Sequence, residues 1–469
     1  MIKKNNSSKK KDLELQKKLL HKTESSWSSF EHKKIFSFSK KYIDFLKNTK
    51  TERLSFEEII KTLKEKGFED GSKKKSIKKH DKIYFTFRNK TIFAIKIGED
   101  KESMHLIASH IDSPRLDLKP HPLYEDSGLA LFKSHYYGGI KKYQWVNTPL
   151  ALHGIIYLKS GKKINLSIGE EPDEPKFIVA DLLVHLSKDQ LERKGSKVVN
   201  AEELNILVGS IPLKNTSYTE KIKLGILKKL NEKYGIVESD FVGADIEFVP
   251  AGTPSNIGFD NSLIAAYGHD DKSCVFTSLE ALLAIKKPSE TTGLLFVDKE
   301  EIGSEGATGV SGSLLRIFIE KYISLIKTKK TIDNFLTSLK VISADVGAGL
   351  NPSFKDVHDP LNAPIIGRGP VIYKYKGLGG KYYTDEASPE FSFYIKSIFE
   401  NKKIPWQTGE GSKLDFSGGS TISVYLARFG LDVINVGPPV LSMHSTNEII
   451  SKVDLYTTFL FYKAFFQND

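Results

Sequence analysis

The sequence predicts an α/β fold, a mixed sheet flanked by helices and interrupted by an inserted β-rich domain. Three observations lead there. Apolar runs at 104–111, 293–297, 341–344 and 433–436 are short and lack polar alternation, as strands buried on both faces do. Segments of helical periodicity lie between most of them, the order of a sheet covered on both sides. From about 120 to 261 the pattern changes to shorter strands punctuated by glycine (Gly128, Gly138-Gly139, Gly154, Gly161, Gly169), with a polar connection at 170–176. The 469 residues therefore divide into 1–120 and 262–469, two parts of one α/β domain, around an insertion at 121–261. Single cores stop growing near roughly 250–300 residues, so a chain of this length is expected to carry a second module.

Residues 1–50 combine lysine runs with apolar positions at helical spacing, Leu13, Leu15, Leu19 and Leu20, then Ile35, Phe36, Tyr42, Phe45 and Leu46. They read as amphipathic helices after a loose basic start. A helix at 56–66 follows, and alternating apolar residues over 82–97 flank Arg88-Asn89-Lys90, the pattern of a hairpin leading into the 104–111 strand. Beyond the insertion, helices at 273–285 and 314–326 alternate with the strands at 293–297 and 341–344. The alternation resumes through 389–399, 404–406, 421–429 and 433–436, and a last helix starts at Lys452.

A net charge of +11 raises the question of nucleic acid or anionic membranes. Only seven of the 69 basic residues are arginine, and the lysines are spread along the whole chain. Proteins that grip phosphates and base edges favour arginine's planar fork, so no nucleic-acid partner is expected. No apolar stretch approaches the roughly 18 residues of a spanning helix, which argues against a membrane protein. The lysine-rich start lacks a signal peptide's apolar core, and Asp12 and Glu14 speak against a transit peptide, so the expected location is the cytoplasm. Cys274, the single cysteine, cannot form an intramolecular disulfide, which suits a reducing compartment.

Chemistry gathers where the apolar strands end. His110 and Asp112 stand two apart in Ser109-His110-Ile111-Asp112-Ser113-Pro114, so in an extended chain Asp112 shares a side with His110 and can fix its tautomer for metal binding. Asp270-Asp271 opens a helix. Such acids are by default helix caps, yet a carboxylate at a fixed turn can also bridge two cations. Glu300-Glu301 leaves a buried strand, where paired like charges are unfavourable unless something positive lies close by. One can bind a metal while the other takes a proton from water. Asp345 and His444 also follow apolar strands, the place where open α/β sheets collect ligands. Each taken singly has a plainer explanation. Together, imidazole and carboxylate donors at strand ends suit two divalent ions, zinc or a similar metal.

These residues resemble the aspartyl aminopeptidase family, dinuclear zinc exopeptidases, over nearly the whole chain after the N-terminal arm. The motifs are Ser-His-x-Asp-Ser-Pro (109–114), Glu-Glu-Ile-Gly-Ser (300–304), Ser-Ala-Asp (343–345), Gly-Pro-Val-Ile (369–372) and Met-His-Ser (443–445). The resemblance implies a zinc-exopeptidase-like catalytic domain that hydrolyses the N-terminal residue of peptides through a two-metal activated water. His110 and Asp345 would bind one metal, Glu301 and His444 the other, and Asp270 would bridge them. Glu300 would be the general base and Asp112 the residue orienting His110. Because Asp271 stands where the family commonly has asparagine, the bridge lies between Asp270 and Asp271, with Asp270 preferred as the first acid of the pair. The inserted domain would mediate dimerisation within a dodecamer built from dimers. His185 matches a histidine of that domain that reaches a neighbouring site or serves as a ligand. Lys374 and the Gly418-Gly419-Ser420 segment match the substrate cleft, while Ala348 replaces a substrate-contacting histidine of eukaryotic members, which leaves the preferred N-terminal residue open. Rival readings are a carboxypeptidase or deacylase on the same two-metal site and, more remotely, a basic scaffold or nucleic-acid-binding protein.

Overall fold

The computed structural model describes residues 14–467, apart from 17, 22, 215, 216, 417, 418 and 420. Leu13, Gly418 and Ser420 therefore lie outside the described residues. A nine-stranded mixed sheet forms the framework, and four of its strands run parallel at the centre: Glu290–Val297, Asp100–His110, Lys340–Ser343 and Asp432–Gly437. Side chains alternate between two buried faces. Leu106, Leu295, Val341 and Val433 enter one apolar cluster, while Ile107, Leu294, Ile342 and Ile434 enter the other. Burial on both faces explains why these strands read as uninterrupted apolar runs. Helices His32–Asn48, His269–Ala284, Pro389–Asn401 and Lys452–Gln467 supply one layer, and Leu314–Ile326 lies in the other.

The local chemistry of the chain sets several of these elements. Arg88 and Asn89 have φ of 50° and 53°, so the hairpin between Lys82–Phe87 and Thr91–Lys96 closes with two left-handed residues, the turn that matches strand twist. Ser388 accepts the Phe391 N–H at 3.0 Å and Pro389 occupies the first helical position, starting the Pro389–Asn401 helix. Residues 404–406, expected as a strand, precede one instead: Gln407–Thr408 pairs with Val371–Tyr373 at the sheet edge.

Between Arg115 and Pro250 the chain builds a separate seven-stranded antiparallel sheet. The expected boundary at 120/121 falls inside its Arg115–Asp126 strand. A third, five-stranded sheet joins Ser255–Ile257 and Leu263–Ala266 to Glu448–Ser451, Pro439–Leu441 and Gly347–Ala348. The nine-stranded and seven-stranded sheets meet around an ionic junction. Lys90 lies 2.6 Å from Glu52 and 2.9 Å from Asp245, and Arg115 lies 3.3 Å from Glu52 and 3.4 Å from Glu247. Among the described residues no helix is long and apolar enough to cross a membrane.

Candidate metal centre

His110 ends the Asp100–His110 strand and pairs in register with Val297, so the Asp298–Glu301 segment leaves the sheet beside it. Asp345 lies two residues past the neighbouring Lys340–Ser343 strand. All face the carboxyl ends of the parallel strands, where the backbone must turn away and leave a crevice. Asp270 and Asp271 enter from the helix beginning at His269, whose first turn is not regular: Asp270 has ψ of 110°. His444 comes from the corner between Pro439–Leu441 and Glu448–Ser451.

These side chains converge. His110 Nε2 lies 3.1 Å from Asp270 Oδ1, 3.9 Å from Glu300 Oε2 and 4.0 Å from Asp345 Oδ1. His444 Nε2 lies 3.2 Å from both Asp270 Oδ2 and Glu301 Oε2. Each Asp270 oxygen thus faces a different histidine. His444 Nδ1–H donates to the Gly139 carbonyl at 2.8 Å, and His110 Nδ1–H to the Asp112 carbonyl at 3.1 Å. With Nδ1 carrying a proton, each imidazole aims Nε2 at carboxylate oxygens, an arrangement that calls for positive charge there, either a second proton on the ring or a cation between the groups.

The electrostatics say the same. Burial opposes a charged imidazole, yet Glu301 and Asp270 raise the His444 pKa to about 11, and hydrogen bonds with Asp112 and Asp270 raise that of His110. Burial pushes Glu300 up to about 7, with Asp345, Asp270 and Asp112 adding repulsion against the pull of His110. Glu301 is driven well above the usual carboxylate range by burial and by Asp270 and Glu300, against His444, and its Oε1 is buried without a hydrogen-bond partner. So many acids in one buried site call for positive charge beyond two histidines. Around a tetrahedral zinc ion, donors at about 2.0–2.2 Å stand roughly 3.3–3.6 Å apart. The 3.2 Å separations of His444 from Asp270 and Glu301 and the 4.0 Å separation of His110 from Asp345 bracket that value. The donor set therefore fits a pair of such ions.

Asp112 does more than face His110. Its carboxylate, 3.3 Å from His110 Nδ1, also accepts the N–H groups of Glu300 and Glu301 at 3.2 Å each and the Tyr137 hydroxyl at 2.8 Å. Asp271 clusters with His110 and Asp345 and is fully buried, next to buried Cys274.

Other expected residues fall elsewhere. Lys374 is half-exposed, 3.7 Å from Glu386. The cation that enters the site is Lys376, 3.0 Å from Asp345 Oδ2, where burial opposes its charge but Asp345 raises its pKa. Gly419 is exposed, as is His185, which sits on the Val184–Leu186 turn among exposed Leu182, Leu183, Val184 and Leu186. Sequence reasoning missed Lys376, Tyr137 and Glu448. A glutamate four residues after His444 was the one available signal for Glu448.

A family model for the aminopeptidase I zinc metalloproteases (M18) matches residues 45–466. The chain is 44% identical over 451 residues to a probable M18 family aminopeptidase 1 of Borrelia garinii subsp. bavariensis, covering 94% of this chain and 98% of that one. Its structure is similar to the M18 family aminopeptidase crystal structure from Thermotoga maritima, with a TM-score of 0.93, 41% identity, and coverage of 96% and 100%. It is likewise similar to aminopeptidase I from Clostridium acetobutylicum, with a TM-score of 0.90, 39% identity, and coverage of 96% and 100%. The yeast mApe1 dodecamer, 20% identical over 91% of this chain and 95% of its own, shares the fold with a TM-score of 0.73.

Proposed function

This chain belongs to the M18 family of zinc metalloproteases and is a zinc metallo-aminopeptidase; from that premise we propose how its side chains divide the work. His110 and Asp345 hold one ion, Glu301 and His444 the other, and Asp270 spans both. The observation that carries this reading is the Asp270 carboxylate, one oxygen toward each histidine. Bound zinc supplies Lewis-acid polarisation of the scissile carbonyl and a more acidic water. Glu300 takes the proton from the attacking water and returns it to the departing amine. Asp112 keeps His110 in one tautomer and pins the Glu300-Glu301 backbone. The excess of carboxylates attracts the free α-ammonium of a peptide, which confines cleavage to the first residue.

The test is chemical. Purified protein should contain zinc, cleave unblocked peptides, leave N-acetylated ones intact and lose activity to a chelator. Equal cleavage of the acetylated peptides would point instead to a carboxypeptidase or deacylase. A panel of aminoacyl substrates reads the preference that Ala348 leaves open.

The pH profile carries a sign. A base must be ionised to act, so kcat/KM falls as pH drops through the Glu300 pKa. That pKa is raised to about 7 by burial and neighbouring acids, and bound cations, which favour the carboxylate, draw it back down. The expected acid limb therefore lies at about pH 5–7, and a flat profile there would remove Glu300 as the base.

We place the enzyme in the cytoplasm and assign the inserted domain, expected at 121–261 and built on the antiparallel sheet between Arg115 and Pro250, as the dimerisation domain of a homo-oligomer, a dodecamer built from dimers. The exposed apolar turn around His185 supports a buried role in such an assembly, since monomers rarely leave contiguous apolar surface in water. The fold shared with the yeast dodecamer agrees with that reading.

A further inference from the structure

We propose that Glu448 is a positioning residue that sets two zinc ligands at once. The proposal rests on the ligand assignment above. Glu448 opens the Glu448–Ser451 strand and pairs in register with Ala266, the last residue of the strand that turns through Gly268 into Asp270. The pairing lays its side chain between the two corners that carry Asp270 and His444. Its carboxylate is 1% exposed, and its two oxygens go to different segments: Oε2 accepts the Asp270 N–H at 2.9 Å and Oε1 the His444 N–H at 2.7 Å.

Both corners need such a hold. His444 has φ of 63° and Ser442 φ of 56°, left-handed conformations that non-glycine residues adopt only where the surroundings enforce them. Asp270 is the second residue of its helix, where an N–H has no acceptor in the helical ladder, and its backbone departs from helical geometry there. One rigid carboxylate ties the two departures together and so fixes the separation of His444 Nε2 from Asp270 Oδ2. A partner that orients ligands in this way typically controls metal affinity by 10–100-fold.

Glu448→Gln retains the shape but replaces one acceptor oxygen with an amide N–H₂ facing a backbone N–H, so one of the two bonds is lost. Zinc affinity is read by competition with a chelating dye, ion stoichiometry by elemental analysis, and the fold by circular dichroism. The expected result is a folded variant whose ion at Glu301 and His444 is held about 10–100-fold more weakly, with kcat largely recovered at saturating zinc. Unchanged affinity for both ions would overturn the proposal, whatever happens to thermal stability. If the glutamine variant fails to fold, Glu448→Asp, which keeps the charge but is one methylene too short to reach both N–H groups, decides by the same titration. A wild-type protein that holds no zinc would instead sink the ligand assignment itself.

Discussion

Glu300→Gln should fold, keep its zinc and lose about 10²–10⁴-fold in kcat, the usual contribution of a positioned general base. The amide is nearly isosteric, and nothing structural depends on the lost charge: Glu300 is anchored through its backbone N–H to Asp112, not through its carboxylate. Removing a repelling acid from a site whose burial already drives Glu300 up to about 7 should leave the protein no less stable. What disappears is the acceptor for the water proton. The part of the acid limb of kcat/KM that reports Glu300 should vanish with it. Near-normal turnover in a folded, zinc-loaded variant would end the assignment.

Asp270→Asn should do comparable damage by a different route. The native carboxylate offers one oxygen at 3.1 Å from His110 and one at 3.2 Å from His444. Asparagine keeps one oxygen and presents an N–H₂ on the other side, so at least one ion loses a ligand and both lose the charge that offsets their mutual repulsion. An ion in such a site stabilises the reacting charge by several kcal/mol. At 1.36 kcal/mol per tenfold, a loss of about 4 kcal/mol is roughly 10³ in rate. Elemental analysis should give fewer than two ions per chain. The thermal shift on adding zinc, about 2.7 kcal/mol for a ligand at a hundred times its Kd, should shrink accordingly. Two tightly held ions in this variant would place the bridge elsewhere.

Much of this centre is legible from residue order alone because its groups sit where apolar runs stop. A strand buried on both faces has no choice of composition, so His110, Glu300-Glu301 and Asp345 stand out against it. Glu448, Lys376 and Tyr137 give no such signal. They reach the centre through side-chain length and through pairing between distant segments, and each would read equally well as an ordinary polar residue. The third sheet was hidden for the same reason: strands of two to four residues, such as Gly347–Ala348 and Leu263–Ala266, are too short to show a period. Lys374 and Lys376 stand two apart in one segment, and residue order alone does not say that the second reaches Asp345 while the first faces Glu386.

The carbonyl that fixes His444 belongs to Gly139, just beyond the Leu129–Tyr137 strand of the antiparallel sheet, and Gly138 beside it has φ of 74° and approaches Glu301 so closely that an added Cβ would sit 3.4 Å from that residue's own Cβ. A residue of the antiparallel sheet's rim thus fixes the tautomer of a histidine more than three hundred positions further along the chain, so the centre is complete only where that rim and the catalytic half are packed together.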